Sequence, residues 1–314
     1  MLQAEHADSE PLEARPAAAE TGTLERQIQQ LCHGWSLEVT PKTAAYLETI
    51  ESPPAAGTQV YITHLPGQPY ANVIATAAWL KAHGYDPIPH LVARAVPDRQ
   101  TLTDWLDRLT REAGADAVLL IAGSLATQLG PYADTLALLD DVSLAEHGIR
   151  RLAIAGHPEG HPHADEETLD QALVAKLAHA EREELEAWLV TQFLFDAEPL
   201  LDWWQRLRHQ GIEVPVRVGL PGPANLATLW KYALSCGIGA SVAALQHQGS
   251  RMFQLARPRP PVDQVLALAS HADRHLRLHF YPFGGIDKTL AWCQALEAGR
   301  FRVDAEHRNI TVDA

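Results

Sequence analysis

The sequence predicts a single (β/α)8 barrel, and three observations carry that reading. Eight short apolar runs recur along the chain, separated by segments with helical period. Strands joined in this way run parallel through right-handed crossovers. Eight such units in roughly 280 residues suit a closed barrel. No run is followed by the GxGxxG turn of a doubly wound dinucleotide-binding sheet, the competing architecture.

The strand candidates are 35–40, 58–64, 87–93, 116–123, 150–156, 188–195, 214–220 and 276–283. In the first, Trp35, Leu37 and Val39 alternate with Ser36, Glu38 and Thr40, and Pro41 ends the run. Glu38 is the anomaly, an acid in the middle of a strand. Helical candidates fill the gaps. In 70–84, Val73, Ala77 and Leu80 share one side, and Gly84 supplies the C-cap. Segments 101–114 and 199–211 repeat that form and also end in Gly. A long helix with many charges on one face is expected over 166–187, and another over 223–237. The stretch 237–275 reads as an insertion with an extra helix before the last strand. Residues 1–25, whose first twenty are rich in Ala, Glu and Pro, read as a flexible N-terminal extension, leaving 26–314 as the barrel domain.

Bulk properties narrow the function. The formal net charge of -14 argues against nucleic acid or an anionic membrane surface as the main partner. Three scattered cysteines make neither a disulfide framework nor a zinc cluster, so a reducing, cytoplasmic setting is expected. No apolar run approaches the ~18 residues of a membrane span, and no secretory signal is visible. Homo-oligomerisation is left open.

A barrel carries its site at the C-terminal ends of its strands. Glu38, Thr63, His64, His90, Ser124, His157, Gln192 and Tyr281 all fall at or near those ends. Any one of them is explained equally well as a satisfied core hydrogen bond. As a set they point to a pocket.

At this point the residues resemble a family, the methylenetetrahydrofolate reductases. "SLEVTPKT" resembles that family's "SFEFFPPKT", "PHLVAR" its "PHLTC", and "VTQFLFD" its "ITQFFFD". "VGLPGPANL" and "HFYPF" resemble "PGILPVSNF" and "HFYTLN". The matches keep the family's order over about 36 to 283. The resemblance implies a (β/α)8 barrel that interconverts 5,10-methylenetetrahydrofolate and 5-methyltetrahydrofolate with NAD(P)H, in most members through FAD. It implies that Glu38 is the catalytic acid, that Gln192 bonds the pterin, and that Tyr232 stacks on folate or nicotinamide. Tyr281 joins these as a substrate contact, and Tyr232 reads equally well as helix packing. Thr63, His90, His161, Asp170 and Lys176 fall at or near flavin contacts, with Lys176 toward the diphosphate and Asp170 toward hydroxyl groups. Asp170 and Lys176 also read as solvated surface on a charged helix. A carboxyl buried at a barrel mouth is expected to have a raised pKa, suiting an acid that works near neutral pH. Once ionised, it would instead stabilise a developing cation.

The resemblance fails in places. The family's "RGD" after strand four reads Ala122-Gly123-Ser124, without either charge, so Ser124 would tune a flavin differently. His157 stands where the family has an aromatic, and as a cofactor contact it would stack or bond a phosphate, reading equally as a loop histidine. These departures favour an alternative in which hydride passes directly between nicotinamide and folate without flavin, including in the oxidative direction of a demethylation pathway. Two further readings are a metal-dependent hydrolase, suggested by the His- and acid-rich 157–167, and a non-catalytic barrel subunit.

Overall fold

The computed structural model describes residues 17–161, 164–236, 259–271, 275–304, 306 and 308–313. All eight expected strands form. They are β1 (Ser36–Val39), β2 (Gln59–Ile62), β3 (Asp86–Val92), β4 (Ala117–Ile121), β5 (Arg151–Gly156), β6 (Glu186–Thr191), β7 (Val216–Pro221) and β8 (Leu276–Tyr281). They pair in sequence order into a closed barrel, and β8 returns parallel to β1 with Ser36 opposite His279 and Leu37 opposite Phe280. The protein is a (β/α)8 barrel.

The alternation in β1 now has a cause. Leu37 and Val39 join the apolar layer between strands and helices. Ser36 and Glu38 therefore face the barrel interior. The centre of that interior is filled by Tyr61, Ile88, Leu119, Ala153, Trp188 and Val190. Trp188 Nε1 donates to the Tyr61 hydroxyl at 2.7 Å, and burial pushes that phenol up to about 12. At the opposite end, Arg151 reaches both oxygens of Asp86 at 2.7 Å and Asp116 at 2.6 Å. One guanidinium thus ties together the starts of β3, β4 and β5, away from the mouth.

The helices are α1 (Ala17–Cys32), α2 (Pro41–Ala44), α3 (Tyr46–Thr49), α4 (Tyr70–Ala82), α5 (Arg99–Arg111), α6 (Thr135–Asp141), α7 (Glu166–Arg182) and α8 (Glu198–His209). They continue with α9 (Leu226–Cys236), α10 (Val262–Ala269) and α11 (Ile286–Glu297), and a hairpin of β9 (Phe301–Asp304) and β10 (Asn309–Val312) closes the chain. Gly84, Gly114 and Gly211 follow their helices with φ of +82°, +62° and +78°, the left-handed turn a C-cap glycine provides. Pro41, expected to end β1, also opens α2, whose N-cap Thr40 forms a capping box with Thr43.

Two expected boundaries are corrected. The helix expected over 166–187 stops at Arg182, where Glu184 turns with φ +56° and Leu185 N–H closes back on Ala180 O. Glu186 and Ala187 instead pair with β5, so strand pairing outweighs the helix propensity of "EREELEA". The flexible extension expected over 1–25 is also too long. Helix α1 begins at Ala17, Leu24 packs on the core, and the Glu25 carboxylate accepts from Val303 N–H at 3.2 Å. Residues 1–16 lie outside the described residues, as do 237–258 of the expected insertion, whose extra helix is α10. Among the described residues no helix is long and apolar enough to cross a membrane.

Candidate active site

Strand β1 carries Glu38 to the mouth, where its side chain keeps 16% exposure. Thr63, just past β2, donates its hydroxyl proton to Glu38 Oε1 at 2.8 Å. His90 Nε2 from β3 and His279 Nε2 from β8 stand 3.5 and 3.6 Å from Oε2. Both distances exceed a normal hydrogen bond. Behind them, His279 Nδ1 lies 3.0 Å from the Ser36 hydroxyl. If Ser36 donates there, Nε2 carries the proton that faces Glu38. Both ring nitrogens of His90 are buried without a hydrogen-bond partner among the described residues.

This arrangement corrects the expected acidity of Glu38. Burial alone raises a carboxyl pKa, as the sequence suggested, but His90 and His279 outweigh it. They hold Glu38 well below the usual carboxylate range, so in the free protein it is an anion. His279 is lowered as well, which for an imidazole favours the neutral form. Its own burial lowers its pKa despite the neighbouring carboxylate, leaving a neutral imidazole near pH 7.

Aromatic rings continue from this cluster. Tyr281 lies edge-on to His279 at 4.8 Å, and its hydroxyl donates to Thr191 O at 3.1 Å. Gln192, expected inside strand six, is instead the first residue beyond β6, and its side chain is exposed. Its Oε1 accepts from Phe193 N–H at 3.1 Å, which restrains the amide. The backbone here is pinned by Thr191, whose hydroxyl donates to Gln192 O and accepts from Gly219 N–H, both at 2.9 Å.

A second grouping lies in a cleft of about 490 Å³ between α7 and α8 at the end of β5. Its walls include three expected cofactor residues, His157, Asp170 and Lys176, together with Arg206 and Trp203. Lys176 was also read as solvated surface, and that reading is corrected. The side chain is buried, 8% exposed, and makes no hydrogen bond or ion pair among the described residues. Burial lowers its pKa, partly offset by Asp134. His157 is lowered to about 4 by burial, by Lys176 and by His161. The His161 ring is exposed, 5.4 Å from His157. Ser124 is exposed in the loop after β4. Arg94 fastens that loop by donating to the carbonyls of Leu125, Ala126 and Ala133. Tyr232, on α9, is 38% exposed and stacked on Phe283. Among the described residues no group of three or more His, Cys, Asp or Glu is placed to hold a metal ion.

Sequence reasoning missed Ser36, His279, Arg206 and Phe283. A signal existed for His279. It lies two residues before Tyr281 in β8, so period-2 alternation puts both on the inward face. Arg206 carried no such signal, since only the packing of α8 beside α7 turns it to the cleft.

No protein-family model matches the chain. Among solved structures it resembles 2,3-dimethylmalate lyase, a member of the PEP mutase/isocitrate lyase superfamily. The triclinic crystal form gives a TM-score of 0.43 and 12% identity, covering 88% of this chain and 86% of that one. The trigonal form gives 0.42 and 11%, covering 87% and 83%. Likeness of this degree says nothing of chemistry, and the barrel assignment rests on the closed strand ladder itself.

Proposed function

We propose that the protein is an oxidoreductase that interconverts 5,10-methylenetetrahydrofolate and 5-methyltetrahydrofolate with NAD(P)H as hydride partner. The observation that carries the reading is Glu38, an ionised carboxylate at the barrel mouth, braced by Thr63, His90 and His279. Opening the substrate's five-membered ring consumes a proton and develops an iminium cation. A preformed anion stabilises that cation without reorganising. To act as the acid, Glu38 must first take up a proton. Its neighbours favour the anion, so the protonated form gives that proton up readily. Gln192 offers a fixed amide whose donors suit a heterocycle edge.

The residues present also fit a dinucleotide cofactor such as FAD. Among the described residues Lys176 is a buried cation without an ion pair on a cleft wall, and His90 Nδ1 is buried without a hydrogen-bond partner. Lys176 and His157 would hold phosphate oxygens, Asp170 hydroxyl groups, and His90 and Thr63 the ring system. When bound, FAD supplies a two-electron hydride carrier. A second reading, direct hydride transfer without flavin, is favoured by Ala122-Gly123-Ser124, which lacks both charges of the family's flavin loop.

The test is the purified protein's visible spectrum together with turnover. Yellow flavin absorbance with NAD(P)H-dependent reduction of methylenetetrahydrofolate supports the first reading. Turnover by colourless protein supports the second. No turnover in either direction with either nicotinamide sinks both.

A further inference from the structure

Strand β2 turns Tyr61 into the barrel interior and Val60 and Ile62 into the apolar layer under the helices. The same alternation sends Thr63 inward to Glu38 and His64 outward. A histidine thus takes the third outward position, where the two before it are aliphatic. It is 9% exposed, and its ring lies edge-on to Tyr70 of α4 at 5.0 Å and to Trp105 of α5 at 5.9 Å. Tyr70 and Trp105 stack on each other at 4.0 Å, so the three rings form one slot.

A hydrogen bond explains why this position is polar. Past His64 the chain turns over 65–68, where Gln68 N–H donates to Leu65 O at 3.1 Å. Pro66 and Gly67 form the centre of that turn, with Gly67 at φ +75°. His64 Nε2 donates to Gln68 O at 3.0 Å and closes the turn onto the strand. The bond needs a proton on Nε2. Nδ1 is buried without a hydrogen-bond partner among the described residues, so a second proton there would find no acceptor. The titratable groups that face the ring are His90 of β3 and Tyr70 of α4, and neither offers a negative charge. Burial holds His64 below its ordinary range, which leaves it neutral at pH 7.

We infer that His64 is a positioning residue that locks the end of β2, so that Thr63 keeps its hydroxyl on Glu38. The aromatic slot and the Gln68 carbonyl fix residue 64 from outside the barrel. Thr63 is its neighbour, tied to β1 by its N–H on Val39 O at 2.8 Å. A β-branched side chain has few rotamers, so the direction of the Thr63 hydroxyl follows its backbone. His64 acts through Thr63 on the carboxylate and does not touch the substrate. The inference deepens the folate reading, on which its kinetic arm rests. A protonated His64 loses its place in the slot, so Thr63 loosens and turnover falls as pH drops through the folded pKa of His64, below about 6.5.

The experiment joins amide hydrogen exchange to steady-state kinetics with methylenetetrahydrofolate. The proteins are wild type, His64→Phe, His64→Gln, Thr63→Val and the double variant His64→Phe/Thr63→Val, with thermal melts to establish that each is folded. His64→Phe keeps a ring in the slot without the donor, and His64→Gln keeps a donor that does not titrate. The Thr63 amide exchanges at least about 10-fold faster in His64→Phe and near the wild-type rate in His64→Gln. The kcat of His64→Phe falls about 10-fold, the scale of one hydrogen bond to a charged group, and His64→Gln recovers most of it. The double variant is no worse than Thr63→Val alone. The acid limb of wild-type kcat below about pH 6.5 is missing in His64→Gln, a comparison that does not depend on His64→Phe folding. Unchanged exchange at Thr63 in folded His64→Phe, additive losses in the double variant, or an acid limb that His64→Gln retains would overturn the inference while wild-type turnover kept the folate reading standing. Absence of wild-type turnover overturns the folate reading, and the exchange rates then decide for or against His64 alone.

Discussion

Glu38 shows how much one side chain's surroundings change its chemistry. The alternation of β1 was enough to turn it into the barrel, and a buried carboxyl by itself suggested a raised pKa. The opposite shift comes from residues 52 and 241 positions further along the chain, His90 and His279, which no local pattern ties to it. The location of the acid was therefore legible in the sequence, and its protonation state was not. We expect Glu38→Gln to fold and to lose about 10²-fold or more in turnover. Because the free carboxyl titrates well below the usual range, wild-type kcat/KM should show no inflection due to Glu38 between about pH 5 and 9. An inflection near neutrality that disappears in Glu38→Gln would show that the histidines do not hold it ionised.

Among the elements, the strands were legible because short apolar runs with turn residues between them leave few alternatives. Helix α6 was not, because its two turns directly follow the Gly-, Ser- and Pro-containing stretch 122–134. The crossing of β6 and β7 was also hidden, and it has a functional consequence. A Cβ built on Gly219 would lie 2.6 Å from both Thr191 O and Gln192 O, closer than real side chains approach backbone. The glycine lets the end of β6 lie against β7 and so sets where Gln192 projects. Gly219→Ala should cost about 1–3 kcal/mol, as overpacking does, by forcing these strands apart. If the proposed folate reading holds, it should also raise KM for methylenetetrahydrofolate, because Gln192 moves with the Thr191 backbone. Urea midpoints and steady-state kinetics measure the two effects. A variant with wild-type stability and KM would mean that the β6 backbone yields freely.

At the scale of the whole molecule, the closed barrel followed from counting strands, but the α7–α8 cleft did not. Lys176 and Asp170 looked solvated on a charged helix, and only the docking of α8 makes their surroundings a cleft wall. That burial has a consequence for stability against acid. His64, His157, His179 and His279 all have lowered pKa values, with burial the first cause in each. A histidine lowered in the fold binds its proton first in the unfolded chain, so acidification favours unfolding. For His157 the window runs from its ordinary value of about 6.5 down to about 4 in the folded state. Glu38 adds a loss of the same sign at lower pH, because its folded pKa is depressed and its stabilising charge disappears only as pH falls through that value. The folding free energy should be level near pH 7.5 and decline below about 6.5. His157→Asn cannot take up the proton, so it should lose less stability across that window, and its difference from wild type should stop growing below about pH 4. Urea denaturation of both proteins at several pH values checks this. Parallel curves for wild type and His157→Asn would show that the cleft is wet enough to let His157 titrate as it does in water.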